Sequence, residues 1–235
     1  MQPGTSPYGD LRPTVAMLGI LMLQTQFPRP PGDVGHPASF AMPVRWQVVA
    51  GATPSRVVRD ADASLLEPFV QAGRELVSQG AQALTTSCGF LVRFQCELQA
   101  ALPVPVWTSS LLKLAELARP GVLTVDAASL GPAELISAGA DPSTPVEGLQ
   151  PGCSLQRTLL EDRPTLDMDL ARAEVVQAAL RLVQRHPGLD SIVLECTNLP
   201  PYAQAVQQAT GLPVHHLMTL VHERWVQPRS APALP

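Results

Sequence analysis

The sequence predicts an α/β protein with parallel sheets, and three observations carry that prediction. Short apolar runs alternate with stretches of helical periodicity along most of the 235 residues, the pattern of βαβ units. The first run, 14–23, is almost continuously apolar, as expected of a strand buried on both faces. One local pattern also occurs in each half: an apolar run, a cysteine, a few small or polar residues, then helical periodicity. It is seen at Cys88 in Thr-Thr-Ser-Cys-Gly-Phe and at Cys196 in Leu-Glu-Cys-Thr-Asn-Leu-Pro-Pro-Tyr.

Taken in order, residues 1–12 hold Gly, Pro, Ser and Thr without periodicity and are expected to form a flexible tail. The strand over 14–23 leads into a long irregular loop, 24–42, containing Phe27-Pro28-Arg29-Pro30-Pro31-Gly32-Asp33; a loop of that length in a compact domain is usually functional or disordered. A second strand covers 45–50. Ser64 and Glu67 form a capping box for a helix whose stripe is Leu65, Leu66, Phe69, Val70, Leu76 and Val77, stopped by Gly80. A strand ending near Thr86 delivers Cys88, and a helix is expected after it over 91–100. Strands are expected at 104–107 and 122–125, with helices at 110–118 and 131–138.

The second half is less regular. Residues 150–167 read as a loop-rich connection. Asp169 caps a helix running to about 184 with Leu170, Ala173, Val176, Leu180 and Val183 inward, and His186-Pro187-Gly188 ends it. A strand over 192–194 delivers Cys196, a helix starts near Tyr202, Val214 opens a last strand and 218–225 is helical. The expected division is a first lobe of 13–112 with 214–226, a second lobe of 113–213, and a second tail over 227–235.

Composition narrows the function. Hydrophobic residues make up 46% of the chain, enough for a sizeable core. A net charge of −4 with no basic stripe argues against nucleic acid or an anionic membrane as partner. The run at 15–23 is far shorter than the ~20 residues that cross a bilayer, and no charged-then-apolar leader precedes it, so a soluble cytoplasmic protein is expected. Free thiols are therefore the expectation for the four cysteines, 88, 96, 153 and 196. No CxxC pair or His/Cys zinc spacing is present, His215 and His216 fall on opposite faces of a strand, and neither metal nor cofactor is expected.

The paired strand–Cys units, with Thr197 directly after the second Cys, resemble the aspartate/glutamate racemase superfamily of cofactor-independent racemases and isomerases. Leu18-Gly19-Ile20-Leu21, the Phe-Pro-Arg-Pro-Pro-Gly-Asp loop and Glu-Cys-Thr-Asn-Leu-Pro-Pro-Tyr-Ala resemble one sub-branch of it. The resemblance spans 14–225 in order of elements. It implies two similar α/β domains with a ligand pocket between them, a small-molecule carboxylate as substrate, and allows a homodimer. One departure is Gly89, where racemases for amino acids carry Asn or another hydrogen-bonding residue after the first Cys.

In open α/β sheets ligands sit beyond the carboxyl ends of the strands, which is where both thiols are expected. A hydrogen beside a carboxylate is very weakly acidic, so an enzyme without a cofactor must offer pre-aimed donors to the enolate in a water-poor site. Cys88 and Cys196 are the candidate catalytic pair, one removing a proton and the other returning one to the opposite face, with helix amino-termini lowering their pKa. Candidate substrate-binding groups are Gln24, Arg29 as a carboxylate clamp, Ser87, Gly89, Thr124, Thr197 and Asn198. Glu195 and His216 are candidates to orient or buffer a thiol, Asp33 reads as a turn residue beside Gly32, and Ser129 and Tyr202 are weaker pocket candidates. An isolated buried Cys is usually packing; the matched placement of two is what favours function. The expected activity is cofactor-independent racemisation or isomerisation of an amino acid or related carboxylate. The alternatives are a maleate isomerase-like or decarboxylase-like enzyme using one thiol, or a non-catalytic carboxylate-binding protein.

Overall fold

The computed structural model describes residues 16–226; the tails expected at 1–12 and 227–235 lie outside them. Two four-stranded, wholly parallel sheets form. In the first, β1 (Met17–Met22), β2 (Val44–Val48), β3 (Ala81–Thr86) and β4 (Val106–Trp107) lie in the order β2-β1-β3-β4. In the second, β5 (Pro120–Thr124), β6 (Val146–Gly148), β7 (Ser191–Leu194) and β8 (Val214–His215) lie in the order β6-β5-β7-β8. The two orders are the same pattern repeated. Each reverses direction between its first and third strands, the switch point beyond which open α/β sheets bind ligands. Cys88 comes after β3 and Cys196 after β7, so both thiols leave the third strand of their sheet.

Apolar runs become the central strands because both faces are covered. Leu18, Ile20 and Leu21 of β1 and Ile192, Val193 and Leu194 of β7 are wholly buried. The helices are α1 (Leu66–Ser78), α2 (Gln95–Ala101), α3 (Pro132–Ser137), α4 (Ser154–Leu160), α5 (Met168–Arg185), α6 (Ala203–Thr210) and α7 (Leu217–Val226). One apolar core runs through both sheets, and a second lies where Leu217, Leu220 and Val221 of α7 pack on Leu18, Ile20, Met22 and Ala83. The chain thus returns from the second sheet to cover the first.

Several local expectations need correction. The expected first lobe includes Val214, yet β8 extends the second sheet, Ile192 pairing with Val214 and Val193 with His215; of the stretch 214–226 it is α7 that crosses back. β6 and α4 lie where the sequence predicts no element or only loop. β6 has three residues, one of them Glu147, too short to show a period. The N-terminus of α4 is closed from a distance, with Ser154 N–H and Leu155 N–H donating to the Glu174 carboxylate at 2.8 Å each. Both carboxylate caps sit ahead of the expected positions. Asp62 accepts from Ser64 N–H at the short 3-10 turn Ala63–Leu65 before α1, and Asp167 accepts from Asp169 N–H and Leu170 N–H at α5. The inward face of α5 is Ala171, Val175, Ala178, Ala179 and Leu182, whereas Leu170 and Leu180 are exposed. Alanines on that stripe let the helix approach its neighbours closely, and the longer side chains are left outside.

Candidate active site

β3 ends at Thr86, the chain bends at Ser87, and Cys88 is extended before the 3-10 helix Gly89–Phe94. Ser87 is locked in place: its N–H donates to Leu21 O at 2.9 Å and its Oγ accepts from Leu23 N–H at 2.8 Å. Across the cleft, Glu195, Cys196 and Thr197 come after β7. Ser110 Oγ donates to Leu194 O at 2.7 Å, and Thr197 Oγ1 donates to Ser87 O at 2.6 Å. That last bond stitches the two thiol loops to each other.

The two loops bound one cavity. Ser87, Cys88 and Gly89 line it from the first half, and Glu195, Cys196 and Asn198 from the second. The remaining wall is apolar, from Leu23, Phe27, Pro54, Val58, Phe90, Val125, Leu159 and Leu160. Five of the nine proposed residues therefore line the cavity, and the other four do not. Gln24 is exposed and accepts from Gly51 N–H at 2.9 Å. Arg29 is not a free clamp: it bonds Asp33 Oδ1 at 2.9 Å and Thr25 Oγ1 at 3.0 Å, with its guanidinium 4.6 Å from the Phe27 ring centre. Thr124 donates to Glu195 Oε2 at 2.7 Å, and Thr197 to the Ser87 carbonyl. They form the layer behind the wall.

Asp33 is more than a turn residue. It is buried, accepts from Arg29 and from Gly35 N–H through Oδ1, and from Asn198 Nδ2 at 2.6 Å through Oδ2. Asn198 Oδ1 in turn accepts from the Cys196 thiol at 3.4 Å. A polar chain thus runs from the 24–42 loop to one sulfur. Ser129 pairs with Asp126, and Tyr202 is buried with its hydroxyl 3.6 Å from Met168 Sδ. His216 does not line the cavity; burial and then His215 push it down to about 4, and its Nδ1 has no partner.

The electrostatics run against the expectation of acidified thiols. Burial, reinforced by the Glu195 charge, pushes Cys88 up to about 12. The same two causes push Cys196 well above its ordinary value. Cys88 leads into a 3-10 turn rather than an α-helix, and desolvation outweighs the backbone donors facing each sulfur. Glu195 is fully buried, and desolvation pushes it up to about 7 against the hydrogen bond from Thr124. Its Oε2 takes that bond, while Oε1 has no partner. Gly89 explains how the carboxylate fits: a Cβ there would collide with the Glu195 carbonyl oxygen and Oε1. The missing side chain at 89 and the acid at 195 are two halves of one arrangement.

Arg93, on the turn after Cys88, bonds Glu134 Oε1 at 2.7 Å, Val57 O at 2.9 Å and Ser129 O at 3.3 Å. It ties the first half to the second behind the cavity. Among the described residues all four cysteines are free, no cluster of three or more His, Cys, Asp or Glu could hold a metal, and no helix is long and apolar enough to cross a membrane.

Two repeated parallel sheets with a thiol after the third strand of each define the class by fold. The chain superposes with a TM-score of 0.62 on a glycine-to-cysteine variant of arylmalonate decarboxylase at 16% identity, covering 92% of this chain and 97% of that one. It gives 0.61 on allantoin racemase from Klebsiella pneumoniae at 15% identity, covering 94% and 96%, and 0.55 on a putative Asp/Glu racemase from Yersinia pestis at 13% identity, covering 88% and 96%. The chain has the fold of the aspartate/glutamate racemase superfamily, as the paired strand–Cys units implied. No family model matches it. Its curated relatives in sequence carry a different name. It is 30% identical to dimethylsulfoniopropionate lyase 7 of Emiliania huxleyi over 220 residues, 86% of this chain and 64% of that protein. It is 29% identical to dimethylsulfoniopropionate lyase of Durusdinium sp. clade D over 85% of this chain and 71% of that protein. A further lyase of Emiliania huxleyi is 32% identical over 86% of this chain and 57% of its own length. The chain spans less than two thirds of two of these three relatives.

Proposed function

We propose that the protein is a thiol-dependent lyase, removing the α-proton of a small carboxylate and expelling a leaving group from the β-carbon, with dimethylsulfoniopropionate as the first substrate to test. The observation that carries this reading is the cavity itself: two thiols on equivalent strand ends enclose an apolar chamber, in a chain whose sequence relatives are named for that lyase reaction. In the elimination one cysteine sulfur takes the α-proton. The C–H electron pair becomes the C=C bond, and the β C–S bond breaks with its pair remaining on the departing sulfur. A dimethylsulfonium group then leaves as neutral dimethyl sulfide, and the propionate becomes acrylate. Leu23, Phe27, Val58 and Phe90 are suitable company for S-methyl groups. Ser87, Asn198 and the backbone N–H groups of the thiol loops are the candidate partners for the carboxylate.

The raised thiols favour such a substrate over a dicarboxylate. A thiolate in this pocket is opposed by burial and by Glu195; a substrate bringing positive charge relieves that opposition, and one bringing a second negative charge adds to it. Incubation with dimethylsulfoniopropionate tests the reading. Equimolar dimethyl sulfide and acrylate, released at a rate proportional to enzyme, are expected, and no release at millimolar substrate would overturn it.

Inversion of a stereocentre is the second reading, favoured by the equivalent placement of the two thiols. It requires both sulfurs, one on each face of the carbon, whereas elimination requires one base. Exchange of the α-hydrogen of a chiral amino acid or hydantoin in deuterated water, with no dimethyl sulfide from the sulfonium compound, would select inversion.

A further inference from the structure

We propose that Glu195 is the counter-ion for a cationic substituent on the substrate, which makes the cavity a site for onium carboxylates, zwitterions carrying a quaternary or sulfonium centre two carbons from the carboxylate. The inference deepens the lyase reading and rests on it for the placement of substrate.

Three observations point to it. Glu195 is fully buried, and while Oε2 accepts from Thr124, Oε1 has no hydrogen-bond partner. A buried carboxylate this poorly satisfied is costly as an anion unless a positive charge compensates it, and Glu195 is a lining residue of the cavity, where a bound cation can supply that charge. Among the described residues Glu195 is also the one charged side chain on that wall. Arg93, whose charge reaches it from behind, is engaged with Glu134, Val57 and Ser129. Lastly, the bare Gly89 leaves the space that Oε1 fills. An onium centre donates no hydrogen bond, and it is drawn to an unpaired anion beside apolar or aromatic surface. Phe27 and Phe90 of the same wall offer such surface.

Without a cation beside it, Glu195 gives up its proton only around neutral pH, because burial raises it to about 7. A bound cation stabilises the carboxylate instead. The groups facing Glu195 are Thr124, Gly89, the two thiols, Arg93 and, more distantly, Glu134. The thiols are pushed up and do not ionise between pH 5.5 and 8.

Two isosteres separate charge from shape: 3-(trimethylammonio)propanoate, whose trimethylamine is a poorer leaving group than dimethyl sulfide, and 4,4-dimethylpentanoate; they share an outline and differ by one positive charge. Calorimetry at pH 8 on the full chain is expected to give at least roughly 10-fold tighter binding of the ammonium compound, the size of one good charge contact. In Glu195→Gln the preference should collapse to within about 3-fold, mainly by loss of affinity for the cation. The wild-type protein gives a second readout that needs no variant. Lowering the pH from 8 to 5.5 should weaken the ammonium compound about 10-fold and should not weaken 4,4-dimethylpentanoate, an anion that gains when Glu195 is protonated. Equal affinities at pH 8, a preference retained in Glu195→Gln, or failure of the ammonium compound to bind would each overturn the counter-ion. Dimethyl sulfide release is scored separately. If the charge preference is present without release, the lyase reading fails and the counter-ion stands; if release occurs without charge preference, the counter-ion alone fails.

Discussion

The two thiol loops sit at equivalent points of a repeated frame and are wired differently. Cys88 comes after β3, is nearly sealed, and is succeeded by a glycine and an apolar turn, Phe90, Leu91 and Val92. Cys196 comes after β7, is half-buried, and is succeeded by Thr197 and Asn198, which anchor to Ser87 and to Asp33. The sulfur of Cys196 donates to Asn198, which hangs from a buried ion pair in the 24–42 loop. A matched pair of acid and base would be served by matched surroundings. One polar and one apolar side suit a reaction that needs a base on one face and room for a departing methylated group on the other.

Replacing each sulfur is the most severe way to break that comparison. For elimination, one of Cys88→Ser and Cys196→Ser should lose at least roughly 1,000-fold in turnover, the scale of a general base, while the other stays within about 10-fold. Inversion predicts that both lose the larger factor. Steady-state rates on the substrate that the release assay identifies decide between them.

Glu195 gives the next largest effect, on stability against pH. Its pKa is raised in the folded protein, from 4.5 to about 7, so the stability it contributes is complete below pH 4.5 and is lost as pH rises to 7. His216 is shifted the opposite way, from 6.5 to about 4; its contribution is complete above pH 6.5 and is lost as pH falls to 4. The two oppose each other in one window, and the wild-type profile should be shallow there. Glu195→Gln removes one side. Compared with wild type, it should gain stability between pH 4.5 and 7.5 by up to roughly 3 kcal/mol. Urea titrations at several pH values measure this, and a constant difference across the range would show that Glu195 does not titrate in the fold.

Much of the frame was legible in the sequence. The central strands are written as apolar runs because covering helices demand them, and both thiols announce themselves by a shared local context. Glu195 and Asp33 were less legible. Glu195 was visible only as a neighbour of Cys196, because the signal that explains it, Gly89, is more than a hundred residues away. Asp33 looked local because its acceptor role for Asn198 joins two loops. The wall from Val58, Phe90, Leu159 and Leu160 comes from separate segments, each of which locally reads as ordinary core. α4 escaped notice because its cap is Glu174, on another helix.

Asp33→Asn probes the wiring more gently. It keeps a side chain of the same size and removes the charge that pairs with Arg29 and, more weakly, raises Cys196. The cost to stability should be about 1–3 kcal/mol, the range for weakening a buried charged hydrogen bond. Alkylation of Cys196 by iodoacetamide should quicken by about 2- to 5-fold, since a thiol relieved of a neighbouring anion ionises more readily, with Cys88 unchanged. Peptide mass spectrometry resolves the two sites. Equal acceleration of both would mean that Asp33 acts by loosening the fold and not through Asn198.

The smallest effect concerns the frame that holds the second thiol. α5 packs against β5 and β6 in the second sheet, and its N-terminus lies where two aspartates compete for the cap. The backbone gives the role to Asp167, extended at φ −90° and ψ 107° with Oδ1 accepting from two N–H groups, whereas Asp169 is already helical and pairs with Arg172 on the surface. An N-cap carboxylate satisfies donors that nothing else reaches, so Asp167→Ala should cost about 1 kcal/mol. Asp169→Ala forfeits only an exposed ion pair and a favourable charge in the first turn, within about 0.5 kcal/mol. Thermal unfolding of the two variants separates them. A larger loss for Asp169→Ala would move the helix start and turn its inward face toward Leu170 and Leu180, undoing the alanine stripe on which α5 rests.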